Sequence, residues 1–263
     1  MTTQNFVIIT PSYNQAHFLK QTVDSVLSQP ELVKHYVMDG GSTDESVSVL
    51  KKYKNKKLEW QSKSDKGQTD AINKGLKKML RDNSLSDDTV IAYLNSDDYY
   101  LANTFATVAE LFTQNPKKEW LIGDAIIIDA DNKPIQQSIR WYKKVWRNFL
   151  SIPTLGILNP IPQPAVFIKL SAIKKVGLFT ATLHYVMDYE YWLRLFEVVG
   201  APICINQPLA AFRIHTQSKG GTGFIEQFNE QHQVARQYIK NPLVLWLQSV
   251  HNLFITTVYR LIK

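Results

Sequence analysis

Residues 90–100 read Val-Ile-Ala-Tyr-Leu-Asn-Ser-Asp-Asp-Tyr-Tyr. The run begins with apolar and aromatic residues, which is typical of a buried strand, and it then reaches two adjacent carboxylates, Asp97 and Asp98. Oxygen ligands with no cysteine or histidine beside them suit Mg²⁺ or Mn²⁺, which often take further ligands from a bound phosphate. The stretch therefore predicts a metal site for a phosphorylated substrate. The alternative is a polar loop in which Asp98 caps a helix near Asn103.

Two further strands are predicted in the first half of the chain, at residues 6–10 and 35–38. Each runs into polar residues and is followed by a helical pattern, over residues 17–29 and 44–53 respectively. Strands that alternate with helices predict a mostly parallel α/β sheet with helices on both faces. Because ligands of such sheets bind beyond the carboxyl ends of the strands, we expect Tyr13, Asp39 and Asp97 to lie on one edge.

The two most familiar phosphate-binding loops are absent from the sequence. No G-x-G-x-x-G follows a predicted strand, and no G-x-x-x-x-G-K-[ST] occurs in the chain. A substrate phosphate would therefore be held by a metal ion and by side chains. A helix predicted over residues 68–80 adds N-terminal amides that favour an anion.

Six motifs in order make the chain similar to one known family. They are Thr10-Pro11-Ser12-Tyr13-Asn14, Asp39-Gly40-Gly41-Ser42-Thr43-Asp44, the stretch from Ser64 to Gly75, Leu94-Asn95-Ser96-Asp97-Asp98, the stretch from Asp188 to Arg194, and Phe212-Arg213-Ile214-His215. The chain resembles the family 2 glycosyltransferases from Ile8 to about Ser218. These are inverting enzymes of GT-A fold that use nucleotide-diphosphate sugars. The resemblance implies an α/β fold with a Rossmann-like, mostly parallel central sheet flanked by helices.

The resemblance also implies a set of donor-binding residues. Tyr13 is expected to stack on the base and Asp39 to accept a hydrogen bond from the imide N–H of uracil, although an Asp before two glycines is also typical of a turn. Asn95 stands where many relatives have an Asp. The full set implied for the nucleotide sugar is Thr10, Pro11, Tyr13, Asn14, Asp39, Asp65, Lys66, Gln68, Asp70, Asn73, Asn95, Ser96, Asp97, Gln163 and Arg213.

The metal and catalytic residues are implied in the same way. Asp97 and Asp98 are expected to bind Mn²⁺ or Mg²⁺, with His215 as a further ligand or phosphate donor. Arg213 is expected to offset the charge of the leaving diphosphate. Asp188 is the expected general base, which takes the proton of the acceptor hydroxyl. Asp188 also precedes a predicted helix over residues 189–199, so the alternative is an N-cap; Glu190 is the next candidate base.

The second half of the chain differs in charge from the first. Residues 1–130 hold 15 basic and 17 acidic residues, and residues 131–263 hold 15 and 6, so the net charges are −2 and +9. We interpret residues 1–240 as one GT-A domain, with a nucleotide-sugar half (1–130) and an acceptor half (131–240). Residues 241–263 are predicted to form a C-terminal amphipathic helix. Its apolar stripe is expected to contact the protein, a second subunit or a membrane surface. The stripe consists of Leu243, Trp246, Leu247, Val250, Phe254, Val258 and Leu261.

The sequence as a whole predicts a metal-dependent inverting hexosyltransferase that uses a UDP-sugar in surface polysaccharide synthesis. The expected acceptor is a saccharide or a lipid-linked saccharide. A nucleotidyltransferase and a non-catalytic sugar-nucleotide-binding or scaffold protein are the alternatives. One cysteine, Cys204, and an N-terminus without a signal pattern predict a cytoplasmic protein, with attachment to the inner face of the membrane as a further hypothesis. No motif indicates a nucleic-acid partner.

Overall fold

A computed structural model of the chain describes residues 4–216 and 224–262, with backbone alone for residues 224, 225 and 258–262. Its strands are β1 Phe6–Ser12, β2 Leu32–Asp39, β3 Leu58–Ser62, β4 Val90–Tyr93, β5 Tyr99–Tyr100, β6 Trp120–Ile128, β7 Val166–Lys169 and β8 Ile203–Arg213. They form a single sheet of eight strands in the order β3-β2-β1-β4-β7-β6-β8-β5.

The helices cover both faces of this sheet. They are α1 Ala16–Leu27, α2 Ser46–Lys51, α3 Gln68–Leu80, α4 Thr104–Gln114, α5 Gln137–Arg147, α6 Ile152–Ile157, α7 Leu170–Val176, α8 Met187–Val199, α9 Phe224–Tyr238 and α10 Pro242–Ile262. The helix predicted over residues 68–80 is confirmed. The one predicted over residues 44–53 is shorter, because the Asp44 carboxylate accepts the N–H groups of Ala16 and Ser46 and so belongs to the preceding loop.

The predicted, mostly parallel sheet is confirmed. β1 pairs in parallel with β2 and β4, β2 with β3, and β6 with β8, while β5 and β7 run antiparallel to their neighbours. The register aligns Ser12 with Asp39 and Asp39 with Ser62. The loops that follow β1, β2 and β3 therefore leave the sheet along one edge, as the sequence predicts for such strands.

Two apolar layers enclose the sheet because successive side chains of a strand point to opposite faces. Phe6 and Ile8 of β1 pack with α1 and α4, and Val7 and Ile9 pack on the other face with α3, α7 and α8. The second layer contains residues of both halves of the chain, so the halves share one core. The two-residue strand β5 pairs with β8 directly after the Asp97-Asp98 turn, which brings the end of β8 to the end of β4.

Candidate active site

The loops after β1 and β2 are joined by hydrogen bonds. Asn14, which has a left-handed φ of 52°, accepts the Thr43 N–H at Oδ1 (2.8 Å) and donates its own N–H to Ser42 Oγ (2.8 Å). Before Tyr13, the Ser12 carbonyl accepts the Gly40 N–H at 2.8 Å. The backbone is thus held on either side of Tyr13, whose ring is 59% exposed. Tyr13 thus presents an open aromatic face at the edge of the sheet, where a base can stack on it.

Asp39 forms the turn that the sequence offered as an alternative to base recognition. Its Oδ2 accepts the N–H groups of Gly41 (3.2 Å) and Ser42 (2.9 Å) and the Ser62 hydroxyl (2.6 Å), whereas Oδ1 has the Ser42 hydroxyl as its protein partner. A carboxylate has about four acceptor positions, so Oδ1 keeps capacity for one more donor. A Cβ on Gly40 would lie 2.8 Å from Asp65 Oδ2. The glycine therefore lets Asp65 approach this turn.

The N-terminus of α3 lies between this turn and β4. Asp65 Oδ1 accepts the Gly67 N–H (2.8 Å), and Asp70 Oδ2 accepts the Lys66 N–H (3.1 Å). The hydrogen bond from Lys74 lowers the pKa of Asp70. Gln68 Nε2 donates to Asn95 Oδ1 at 2.6 Å. The first turn of α3 is thereby held against the loop that follows β4.

Two residues of the predicted donor set face away from this edge. Thr10 is buried, and its hydroxyl lies 2.9 Å from Nε2 of His35, whose pKa is lowered to about 3 by burial. Asn73 uses its amide for both backbone groups of Phe179, at 2.9 Å and 3.0 Å. The side chains of Thr10 and Asn73 are therefore structural links, which corrects their predicted contact with the donor.

Asn95 connects three parts of the site. Besides accepting from Gln68, it donates from Nδ2 to Gln163 Oε1 (3.3 Å) and to Asp98 Oδ2 (3.4 Å). Gln163 in turn donates to the Tyr93 carbonyl at 2.8 Å. Gln163 thus lies beside the loop that follows β4. Pro11 and Ser96 are both buried beside it and contribute backbone rather than exposed side chains.

Asp97 and Asp98 point in different directions. Asp98 is buried, and its Oδ1 accepts the backbone N–H of Arg213 at 2.8 Å. Burial and then the neighbouring Asp97 raise the pKa of Asp98 well above its usual range. Asp97 instead places Oδ2 3.0 Å from His215 Nε2. The helix α4 is preceded by Asn103, so the alternative in which Asp98 caps that helix is wrong.

The metal ligands predicted from the sequence are brought together only in part. Among residues 4–216 and 224–262, no group of three or more His, Cys, Asp or Glu side chains is arranged to hold a metal ion. Asp98 is the less accessible of the two carboxylates, because it is buried and its Oδ1 accepts the Arg213 N–H. Asp97 Oδ2 and His215 Nε2 are hydrogen-bonded at 3.0 Å. Two neighbouring ligands, each about 2.1 Å from an octahedral ion, also lie about 3 Å apart, so this pair could accept a cation in place of the hydrogen bond.

Arg213 has a structural role instead of the predicted contact with a diphosphate. A guanidinium has five N–H donors, and all of those of Arg213 are engaged within the protein. The acceptors are the carbonyls of Asp97, Asp129 and Ala130 and the side chains of Gln21 and Asn132. Arg213 therefore fixes the turn that carries Asp97, and its charge acts on the site from behind that turn.

Asp188 lies in the first turn of α8 rather than at its N-cap, which is Val186. The N-cap alternative is therefore wrong. Asp188 is half-buried, and burial raises the pKa of its carboxyl, while the Tyr189 N–H (2.7 Å) and then the Lys143 ammonium act to lower it. The preceding residue, Met187, contacts Thr69 of α3. The first turns of α3 and α8 thus lie side by side.

Glu190 is unsuited to the role of a general base. It is buried, pairs with Arg194 (2.6 Å) and accepts the hydroxyl of Tyr238 (2.6 Å). These contacts hold α8 against α9, and they occupy the carboxylate that would have to accept the proton.

Two residues that the sequence analysis did not single out support Asp188. Lys143 lies on α5 between Arg140 and Arg147, which both bind the buried Asp124 of β6 at 2.7 and 2.8 Å. Glu230 of α9 accepts the N–H groups of His184, Tyr185 and Val186 at 2.8, 2.7 and 3.0 Å and so holds the segment that leads into α8. The basic spacing on α5 is visible in the sequence, but its partners come from distant elements.

The chain matches the sequence profile of Glycosyl transferase family 2 over residues 7–175, and it belongs to that family. An uncharacterized glycosyltransferase of Rickettsia felis is 26% identical over 255 residues, which cover 94% of this chain and 38% of the relative. An uncharacterized glycosyltransferase of Mycobacterium tuberculosis is 28% identical over 212 residues, covering 78% of this chain and 73% of the relative. The chain therefore spans well under half of the Rickettsia protein.

Solved structures share the GT-A fold. The crystal structure of S. aureus TarS 1-349 in complex with UDP-GlcNAc superposes with a TM-score of 0.64 and 16% identity, over 89% of this chain and 66% of that one. The mannosyltransferase PcManGT from Pyrobaculum calidifontis, in complex with GDP-Man and Mn²⁺, gives 0.63 and 14%, over 95% and 74%. The predicted fold class and family are both confirmed.

Proposed function

We propose that this chain is a metal-dependent inverting glycosyltransferase of the hexosyltransferase type. Its donor would be a nucleotide-diphosphate sugar, with UDP as the nucleotide, and its acceptor a saccharide or lipid-linked saccharide of surface polysaccharide synthesis. The observation that carries the proposal is the contact of the first turns of α3 and α8, which sets the half-buried Asp188 beside the edge that carries Tyr13 and Asp97. The first half of the chain would bind donor and the second half acceptor.

The donor would lie along the carboxyl ends of β1, β2 and β4. Tyr13 would stack on the base, and Asp39 Oδ1 would accept the imide N–H of uracil with its remaining lone pair. Asp65, Asp70 and Gln68 would face the ribose, the sugar and the diphosphate from the N-terminus of α3, whose amides favour an anion. TarS, which shares the fold, was solved with UDP-GlcNAc, which supports a uridine nucleotide here.

Asp97 and His215 would hold a divalent cation together with oxygens of the diphosphate and water. A carboxylate with an imidazole suits Mn²⁺ better than Mg²⁺, because nitrogen ligands favour the transition metals. When bound, the cation would neutralise charge on the leaving diphosphate. Arg213 would hold the backbone of Asp97 in place. Gln68, Asn95 and Gln163, which are linked by hydrogen bonds, would line the site beside it.

Asp188 would supply the base. The acceptor oxygen attacks the anomeric carbon from the face opposite the diphosphate, and its proton passes to the Asp188 carboxylate. The bond from the anomeric carbon to the phosphate oxygen breaks, and its electron pair leaves with the nucleoside diphosphate. One inversion results, because one displacement takes place at that carbon.

The charge of Lys143 leads to a prediction of how the rate of sugar transfer depends on pH. Asp188 must be ionised to accept a proton, so the transfer rate should rise with pH through the pKa of this carboxyl, which burial raises above the usual range of Asp. Lys143→Met removes a cation that lowers this pKa. The acid limb of the pH–rate profile should therefore move to higher pH, by roughly one unit. Lys144→Met, on the same helix, is the control and should leave the limb in place.

Analysis of the products tests the proposed reaction against its alternatives. The full chain would be incubated with Mn²⁺, an acceptor extract and a panel of nucleotide sugars. Sugar transfer releases a nucleoside diphosphate and leaves the sugar in the opposite anomeric configuration. Release of pyrophosphate would instead identify a nucleotidyltransferase, and binding of the sugar nucleotide with no turnover of any donor would indicate a scaffold protein. We propose that the reaction takes place in the cytoplasm, at the inner face of the membrane.

A further inference from the structure

The C-terminal helix α10 has its apolar side turned outward. Leu243, Trp246, Leu247, Val250, Leu253 and Phe254 occupy one face of the helix, and all of them are exposed, with Leu253 at 69% and Phe254 at 63%. These six residues are named the α10 face below. They include five residues of the stripe predicted from the sequence. Its last two residues, Val258 and Leu261, lie outside the residues whose side chains are described.

The opposite side of α10 packs on the protein and carries both apolar and polar residues. Val244 is buried in the core, and Leu245 packs against that core. Gln248 is fully buried and bonds to His232 of α9 at 2.8 Å, and the ring of His251 stacks with Tyr142 of α5. A helix on the surface of a water-soluble domain normally turns polar residues toward water, whereas α10 has apolar residues on its outward side as well. The α10 face thus exposes apolar surface that its own domain leaves uncovered.

The positive charge of residues 131–263 favours an anionic membrane surface as the partner of the α10 face. Residues 131–263 carry a net charge of +9, and residues 241–259 contain no charged side chain. A basic half with an uncharged apolar face suits the surface of an anionic bilayer, to which basic residues are attracted. A second copy would bring the same positive charge to the contact, which disfavours it. No helix among the described residues is long and apolar enough to cross a membrane.

We propose that the α10 face is a membrane-docking surface that lies in the headgroup region of an anionic leaflet. What this docking means for the acceptor rests on the proposed function. Helix α5, which touches α10 through Tyr142, also carries Lys143, the cation near Asp188. Docking through α10 would therefore hold the acceptor half of the site at the bilayer. An acceptor with a lipid anchor would reach the base from that surface.

Vesicle flotation tests the proposal with the full chain. The probe is vesicles of phosphatidylglycerol and phosphatidylethanolamine, with phosphatidylcholine vesicles for comparison. The test variant is Trp246→Gln, Leu253→Gln and Phe254→Gln together, because these are the three most exposed side chains of the α10 face. The matched control is Val33→Gln with Val198→Gln, two exposed apolar residues of β2 and α8. Light scattering without lipid gives the oligomeric state of each variant, and calorimetric titration with UDP and Mn²⁺ measures its nucleotide binding.

We expect the wild type and the control to float with the anionic vesicles and the triple variant to bind them at least about tenfold more weakly. The triple variant should bind UDP as the wild type does, which also shows that it is folded. The proposal is overturned if the wild type stays at the bottom of the gradient, if the triple variant floats equally well, or if the triple variant merely converts a dimer to a monomer. Failure of UDP binding in the wild type would contradict the donor site and leave the flotation result intact.

Discussion

Replacing Asp188 with Asn should lower the rate of sugar transfer by about 10²–10⁴-fold, the usual range for removal of a general base. The Asn side chain has nearly the same shape, and its oxygen can still accept the Tyr189 N–H that Asp188 accepts at 2.7 Å. It cannot take the proton of the acceptor hydroxyl. Nucleotide affinity should stay at the wild-type value, since the proposed base would contact the acceptor and not the nucleotide. Initial rates and calorimetry on the same preparation measure both quantities.

A carboxylate elsewhere on α8 provides the control for this variant. Glu197 is exposed, and Glu197→Gln removes one negative charge from the same helix. It should leave transfer unchanged. An Asp188→Asn enzyme with full activity would remove the base from the mechanism. Glu190 could not replace it, because Arg194 and Tyr238 already occupy that carboxylate.

The sheet could be predicted from the sequence because its signals are local. Buried parallel strands are continuous apolar runs, as in residues 6–10 and 90–94, and their ends are marked by polar residues such as Asn14 and Asp97. The edge that carries Tyr13, Asp39 and Asp97 follows from the rule for parallel strands. The strands β3, β5, β6 and β7 are not among those predicted from the sequence, and β5 in particular has only two residues, too few to show a period.

The orientation of side chains within the site could not be predicted. Asp97 and Asp98 are adjacent and identical in type, and only the pairing of β5 with β8 turns Asp98 inward to Arg213. Arg213 likewise finds its five acceptors on elements far away in the chain, including Gln21 and Asn132. Such partners depend on the tertiary structure, whereas a motif specifies only residue type and spacing.

The C-terminal helix shows a further limit of pattern analysis. Its apolar stripe is visible in the sequence, and packing of that stripe on the protein was the simplest expectation. The structure packs the opposite side, where Val244 is buried in the core and Gln248 and His251 contact His232 and Tyr142. Periodicity identifies two faces of a helix but does not say which of them meets the domain.

Asp97→Asn should have a different effect from Asp188→Asn. It removes the charge of the carboxylate that lies 3.0 Å from His215, so the affinity for UDP at fixed Mn²⁺ should fall by at least about tenfold. Transfer should fall with it. Asp131→Asn, an exposed carboxylate in the loop after β6, is the matched control and should bind and react as the wild type does. Titration of each variant with UDP at fixed Mn²⁺ gives the comparison.

The central claim is that Asp97 and His215 bind a metal–diphosphate at the edge where Tyr13 and Asp39 bind uracil. Calorimetric titration of the wild type with UDP, once with Mn²⁺ and once with EDTA, tests it most directly. We predict clear binding with Mn²⁺ and binding at least about tenfold weaker with EDTA, with the Asp97→Asn protein resembling the EDTA sample in both buffers. Equal UDP affinity in Mn²⁺ and EDTA would contradict the metal site, and tighter binding of GDP or dTDP would contradict the uracil site.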